Sequence, residues 1–148
     1  MIKIEFTEIA HWSPEYREAI YLRYKILREP QNLHFTHQQF EEEGQQIHIV
    51  GKYEGKIIAY LCLIPFADNR YRMRQVAVQK DMQGKGIGRK LVKFCEQLMT
   101  KRKAKEIFMH SREYAIPFYL KLGYEVYGKL FYEIGLPHYN MRKYLFKG

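Results

Sequence analysis

The sequence has few cysteines, no long apolar run, and no repeat or low-complexity tract, and each absence narrows what the chain can be. Its 148 residues hold two cysteines. Cys62 and Cys95 sit in apolar stretches, Tyr60-Leu61-Cys62-Leu63 and Phe94-Cys95, which predicts buried, reduced thiols and not a disulfide framework. No cysteine–histidine cluster has zinc-ligand spacing, so no metal is expected. No stretch approaches the roughly 20 apolar residues of a bilayer span, so no membrane partner is expected. The start, Met1-Ile2-Lys3-Ile4-Glu5-Phe6, alternates apolar with charged residues and lacks the apolar core of a signal peptide. The expectation is a soluble, cytoplasmic protein. With no linker composition anywhere, the length suits one domain over residues 1–148.

What is present is a globular composition. Hydrophobic residues at 47% and aromatics at 16% supply the apolar surface that offsets ordering entropy. The net charge of +9 is concentrated. Residues 80–105 carry nine basic side chains against Asp81 and Glu96, a local net of +7. Such a segment suits a solvated helix face, a nucleic-acid patch or a site for a phosphorylated small molecule, and charge alone favours the first. No nucleic-acid motif accompanies it. A basic nucleic-acid-binding protein is therefore the weaker alternative, and no nucleic-acid partner is expected.

Residues 2–7 alternate as a strand. Ser13-Pro14-Glu15 reads as a helix start, and Ala19, Ile20, Leu22, Ile26 and Leu27 keep roughly helical spacing until Pro30. Residues 36–43 predict a short second helix. Residues 47–53 and 56–66 read as two strands around Glu54-Gly55, and 72–78 as another. Ile87, Leu91, Val92, Phe94, Cys95, Leu98 and Met99 form a helical stripe. Strand 106–110, helix 114–122 closed by Gly123, and strands 124–131 and 139–146 follow. This order predicts an α/β fold: a mixed, largely antiparallel sheet of about seven strands flanked by about four helices.

The most informative stretch runs from Val76-Ala77-Val78 through Gln83-Gly84-Lys85-Gly86-Ile87-Gly88-Arg89. A strand enters a glycine-rich turn that opens the long amphipathic helix. Unpaired N–H groups at the helix start, its dipole and nearby cations favour a phosphate there. The same residues also suit a tight turn with no ligand. The third glycine is misplaced for G-x-G-x-x-G, and no Ser or Thr follows a Gly-Lys as a P-loop requires. The spacing Gln83-x-x-Gly86-x-Gly88 instead resembles the Q/R-x-x-G-x-G/A pyrophosphate loop of the GNAT superfamily of acetyl-CoA-dependent N-acetyltransferases. Phe118-Tyr119-Leu120-Lys121-Leu122-Gly123-Tyr124 resembles that family's F-Y-x-K-x-G-F segment. Within the superfamily, Arg23-Tyr24-Lys25-Ile26-Leu27-Arg28 and Pro137-His138-Tyr139-Asn140-Met141 resemble the R-x-x-I-L-R and P-H-x-x-M segments of the glyphosate N-acetyltransferase group.

The resemblance implies a GNAT-like acyl-CoA N-acyltransferase fold and acetyl-CoA as cosubstrate. Cofactor contacts would come from Val76, Ala77, Val78, Gln83, Gly84, Lys85, Gly86, Ile87, Gly88 and Arg89. His110 stands where relatives commonly carry an asparagine that contacts the cofactor, so that contact is open. The resemblance places His138 as general base and Tyr119 as general acid; should His138 not serve, Glu133 and His110 are next in line. It matches Arg23, Arg74 and Arg112 to arginines that contact substrate, which implies a small, anionic amine acceptor. The expected reaction is direct attack by a primary or secondary amine in a ternary complex. The other reading kept open is a catalytically inactive CoA-binding module. The aromatic C-terminal strands could form the edge of a homodimer.

Overall fold

The computed structural model describes residues 2–145. One seven-stranded sheet runs through them, consisting of β1 (Glu5–Ile9), β2 (Ile47–Tyr53), β3 (Lys56–Phe66), β4 (Arg70–Val78), β5 (Glu106–Arg112), β6 (Glu125–Glu133) and β7 (Leu136–Tyr144). Its order is β1-β2-β3-β4-β5-β7-β6. Only β4 and β5 pair parallel; the other neighbours are antiparallel. Four α-helices accompany the sheet: α1 (Pro14–Arg23), α2 (His37–Glu41), α3 (Ile87–Lys101) and α4 (Ile116–Lys121). The α/β reading therefore stands, with its strand and helix numbers.

Local chemistry accounts for the elements. Ser13 caps α1 by accepting the Tyr16 N–H at 3.1 Å, with Pro14 in the first turn. Thr36 and Gln39 form a reciprocal capping box on α2. β3 is buried from Ile57 to Leu63 because it is central and covered on both faces. On one face, Ile87, Leu91, Cys95 and Met99 of α3 pack with Ile49, Leu61 and Leu63. On the other, Ala19 and Leu22 of α1 pack with Val50, Tyr60, Cys62 and Ala77. Both cysteines are free and fully buried, and burial pushes the Cys62 thiol up to about 11.

Boundaries differ from the sequence reading at several points. β1 starts at Glu5, three residues later than the alternation suggested. The first helix does not run regularly to Pro30. It passes at Tyr24 into a π turn through Arg28, closed by the Glu29 N–H on the Tyr24 carbonyl, and then into a short 3-10 turn containing Pro30. Apolar spacing cannot separate a π turn from an α turn over five residues. β7 begins at Leu136 and ends at Tyr144, so His138 lies inside a strand. The expected strand end at Phe146 falls outside the described residues.

Candidate active site

The sheet is split between its two parallel strands. β4 and β5 pair only at Arg70, Arg72 and the residue between them, with Glu106, Ile107 and Phe108 opposite. Beyond Arg72 and Phe108 the strands separate. β4 remains paired to β3 through Ala77 and Val78, while among the described residues its other edge has no strand partner past Arg72, and the Val78 carbonyl there is taken by the Gln83 side chain. The β3–β4 register shifts between Tyr60 and Cys62, opposite Gln75, whose φ is +57°. This bulge bends β4 away from β5.

The wedge ends at the glycine loop. Gly84 and Gly86 have φ of +77° and +78°, a conformation that a side chain disfavours. Gly86 is the N-cap of α3 and no side chain caps that end, so the first N–H groups of the helix are free for a ligand. Lys85 and Arg89 are exposed beside it. These features fit a pyrophosphate flanked by an amide-containing arm. The loop residues differ in what they offer. The Gln83 side chain donates to the Val78 carbonyl at 2.9 Å, and the Ile87 side chain is buried in the core. Gln83 thus ties the loop to β4, and Ile87 has only its backbone left to face a ligand. Gly88 packs against Phe118 of α4, a ring carbon lying 3.5 Å from where a Cβ would stand.

Arg23 is not where a substrate-contacting arginine needs to be. It is fully buried. Its Nη1 and Nη2 donate to the two Glu43 oxygens at 2.9 and 2.5 Å, and its Nε donates to Gln75 Oε1 at 2.8 Å. Tyr60, Phe35, Phe40 and Tyr16 surround the guanidinium at 4.7–5.9 Å. Tyr16 donates to the same Glu43 carboxylate at 2.6 Å. The expectation that Arg23 binds substrate is therefore corrected: it anchors the β4 bulge from beneath. A buried guanidinium has to be paired, and the carboxylate twenty residues onward meets that need.

The accessible cations lie elsewhere. Arg70, Arg72 and Arg74 alternate along β4 and share a face, to which Phe108, His110 and Arg112 also belong by register. The π turn brings Arg28 close to Arg74. Burial, then Arg74, then Arg23 lower the Arg28 pKa, and burial followed by Arg74 lowers that of Arg72. Among the described residues neither Arg28 nor Arg74 has a carboxylate partner. Arg72 reaches Glu133 at 3.3 Å through Nη2, but its buried Nε has no partner. Arg112 stacks over Tyr114 at 5.5 Å. Of the three arginines expected to converge, Arg74 belongs to this cluster, while Arg28 and Arg72 were missed. The Arg70-x-Arg72-x-Arg74 alternation was visible in the sequence; the position of Arg28 was not.

Glu133, at the end of β6, collects three cationic or imidazole groups. His110 Nδ1 lies 3.0 Å from Oε1, Arg72 Nη2 3.3 Å from Oε1, and His138 Nε2 3.5 Å from Oε2. Burial acts to raise the Glu133 carboxyl, but the hydrogen bond from His110 and the neighbouring charges outweigh it and hold the pKa below its ordinary value. His110 is lowered below 6.5, chiefly by burial, with Arg72 and His138 adding and Glu133 opposing. Phe131 packs against both imidazoles at 5.0 and 5.9 Å. His138 Nδ1 lies 2.9 Å from the Leu136 carbonyl, which can only accept, so that nitrogen carries a proton. Its other nitrogen then faces a carboxylate. This arrangement suits a donor to Glu133 and is poor for a base that must receive an amine proton.

Tyr119 lies on α4, largely buried between Phe118 and Tyr124. Burial pushes its phenol upward, so it keeps its proton at neutral pH. Among the described residues no group of three or more metal-ligating side chains is brought together. No helix there is long and apolar enough to cross a membrane.

Residues 24–145 match the family model of the acetyltransferase (GNAT) domain. Over 143 residues the chain is 28% identical to the uncharacterised N-acetyltransferase YjcF of Bacillus subtilis, covering 91% of this chain and 96% of that one. A 92-residue stretch is 35% identical to a UPF0039 protein of Schizosaccharomyces pombe and spans 60% of each chain. A Lactobacillus plantarum structure assigned to the N-acetyltransferases superposes with a TM-score of 0.84 at 28% identity, covering 97% of this chain and 99% of that one. The fold is shared with an aminoglycoside 6'-N-acetyltransferase solved with coenzyme A, at a TM-score of 0.81, 17% identity and coverage of 97% and 98%.

Proposed function

Because the chain belongs to the acetyltransferase (GNAT) family, we propose that it moves an acetyl group from acetyl-CoA to the amine of a small anionic acceptor by direct attack. The observation that carries the anionic acceptor is the uncompensated cluster of Arg28, Arg72 and Arg74. Arg74 lies within electrostatic reach of both Arg28 and Arg72; among the described residues Arg72 alone of the three touches a carboxylate, and a buried Arg72 N–H lacks a partner. Like charges gathered in a partly desolvated site are unfavourable unless an anion joins them, and guanidinium suits carboxylate or phosphonate. The glyphosate N-acetyltransferase resemblance points the same way, though Arg23 departs from it by being sealed behind the bulge.

Acetyl-CoA supplies a thioester whose carbonyl carbon accepts the amine. The edge of β4 at Val76–Val78 facing away from β3 hydrogen-bonds the amides of the pantetheine arm. The uncapped start of α3 holds the pyrophosphate, with Lys85 and Arg89 adding positive charge. Tyr119 donates a hydrogen bond to sulfur as negative charge develops there. An ordinary thiol has a pKa of about 8.5, below that of the raised Tyr119 phenol. Tyr119 therefore stabilises the thiolate by donation more than by complete proton transfer.

The test compares an acidic and a neutral amine of similar size, with coenzyme A release as the readout. Arg74→Ala is expected to lower kcat/KM for the acidic amine about tenfold or more, since a charge-assisted bond is worth ~1.5–3 kcal/mol. The neutral amine and acetyl-CoA affinity should change little. Equal losses on both amines would remove the anionic acceptor, and absence of turnover on every amine would favour the inactive CoA-binding reading.

A further inference from the structure

Three features of the β5–β7–β6 end of the sheet single out one imidazole. First, His110 Nδ1 lies 3.0 Å from Glu133 Oε1, an oxygen that can only accept while the carboxyl is ionised. That bond puts the proton on Nδ1 and leaves the Nε2 lone pair of the neutral ring unengaged. Second, Glu133 is itself fixed, by Arg72 at 3.3 Å and by His138 at 3.5 Å. Third, His110 stands two residues past Phe108, the last β5 residue paired to β4, so it borders the opening between the strands. It shares the face of Arg72 and Arg74. His138 has the opposite disposition, one nitrogen committed to a carbonyl and the other facing Glu133.

We infer that His110, oriented by Glu133, is the general base that takes the proton from the acceptor amine, and that His138 and Arg72 are positioning residues for Glu133. The inference rests on the N-acetyltransferase reading above. The acceptor arrives as an ammonium and passes one proton to His110 Nε2. The amine nitrogen then bonds to the thioester carbonyl carbon, and the C–S bond breaks with its electron pair on sulfur. The second amine proton ends on that sulfur, and His110 returns its own proton to water. No other reactant is needed.

The charged and titratable groups around His110 are Glu133 from β6, His138 from β7 and Arg72 from β4. Burial with the Arg72 and His138 charges outweighs Glu133 and keeps the ring neutral at pH 7. A base of this kind gives a rate that falls as pH drops through a value below 6.5.

The experiment measures kcat against pH for the full chain with acetyl-CoA and an amine that the wild type acetylates. His110→Gln is expected to lower kcat about 10²- to 10⁴-fold and to lose the acidic limb, while acetyl-CoA binding by calorimetry stays within about threefold. His110→Ala should regain activity on addition of imidazole, which a purely structural defect would not allow. His138→Gln should keep the limb, displaced to higher pH because a charge that disfavours protonation of His110 is gone. A His110→Gln enzyme that retains the limb, a His138→Gln enzyme that loses it, or failure of imidazole to restore His110→Ala would overturn the assignment. A wild type that acetylates no amine would overturn the N-acetyltransferase reading itself, and the base with it.

Discussion

Replacing Glu43 by glutamine should be among the most damaging conservative changes in this protein. The side chain is 5% exposed and its partner Arg23 is 0% exposed, so solvent cannot take over the pairing. Glutamine keeps the shape and one acceptor oxygen but removes the charge, leaving a guanidinium among four aromatic rings with no counter-ion. Breaking a buried pair from one side costs roughly 3–5 kcal/mol. For a chain near 150 residues each kcal/mol lowers Tm by about 2–4 °C, so the expected fall is about 6–20 °C. The double variant Arg23→Met/Glu43→Leu removes both charges and should recover at least half of the loss, because the desolvation cost disappears with them. It should still bind acetyl-CoA less well than wild type, since the Arg23 bond to Gln75 that holds the β4 bulge is gone. Urea denaturation at pH 7 and calorimetry with acetyl-CoA make the two measurements. A Glu43→Gln loss below about 1 kcal/mol, or a double variant no better than the single, would refute the reasoning.

Gly86→Asp should abolish measurable acetyl-CoA binding while the chain stays folded. The new carboxylate opposes the pyrophosphate, and an L side chain is strained at a φ of +78°; wild-type affinity by calorimetry would take the loop out of the cofactor site. Stability should also depend on His48, whose pKa is lowered chiefly by burial and whose ring sits between the Tyr60 hydroxyl at 2.7 Å and the Glu43 carbonyl at 3.0 Å. The unfolded chain binds the His48 proton more readily than the folded one. Stability from this group is therefore complete above about pH 6.5 and is lost as pH falls from there through the folded pKa. Urea midpoints at pH 7.5, 6.5 and 5.5 should decline for wild type and flatten over that span in His48→Gln; parallel declines in both would assign the acid sensitivity to other groups.

Elements governed by local rules are legible in the chain alone. The amphipathic stripe from Ile87 to Met99, the Ser13-Pro14 helix start, the apolar run of β3 and the glycine turn into α3 depend on neighbours within a few residues. All four appear in the structure. The acetyltransferase motifs are legible for the same reason: a loop that presents backbone N–H groups needs particular residues at fixed short spacings. The positions and contacts of the arginines and histidines depend instead on tertiary structure. Arg23 sits in a sequence segment that suggests substrate contact, yet α1 buries it and the turn before β2 brings Glu43 to it. Arg28 joins Arg74 only because a π turn re-aims the end of the first helix. Glu133 meets His110 and His138 through the β5–β7 and β7–β6 registers, which pair Arg112 with His138 and His138 with Phe131. A slip of one residue in either register would send those side chains to the opposite face. Which charge neutralises which, and which imidazole nitrogen is left free, follow from contacts such as Arg23–Glu43, His110–Glu133 and Arg72–Glu133, which lie 20, 23 and 61 residues apart, beyond the reach of any local pattern.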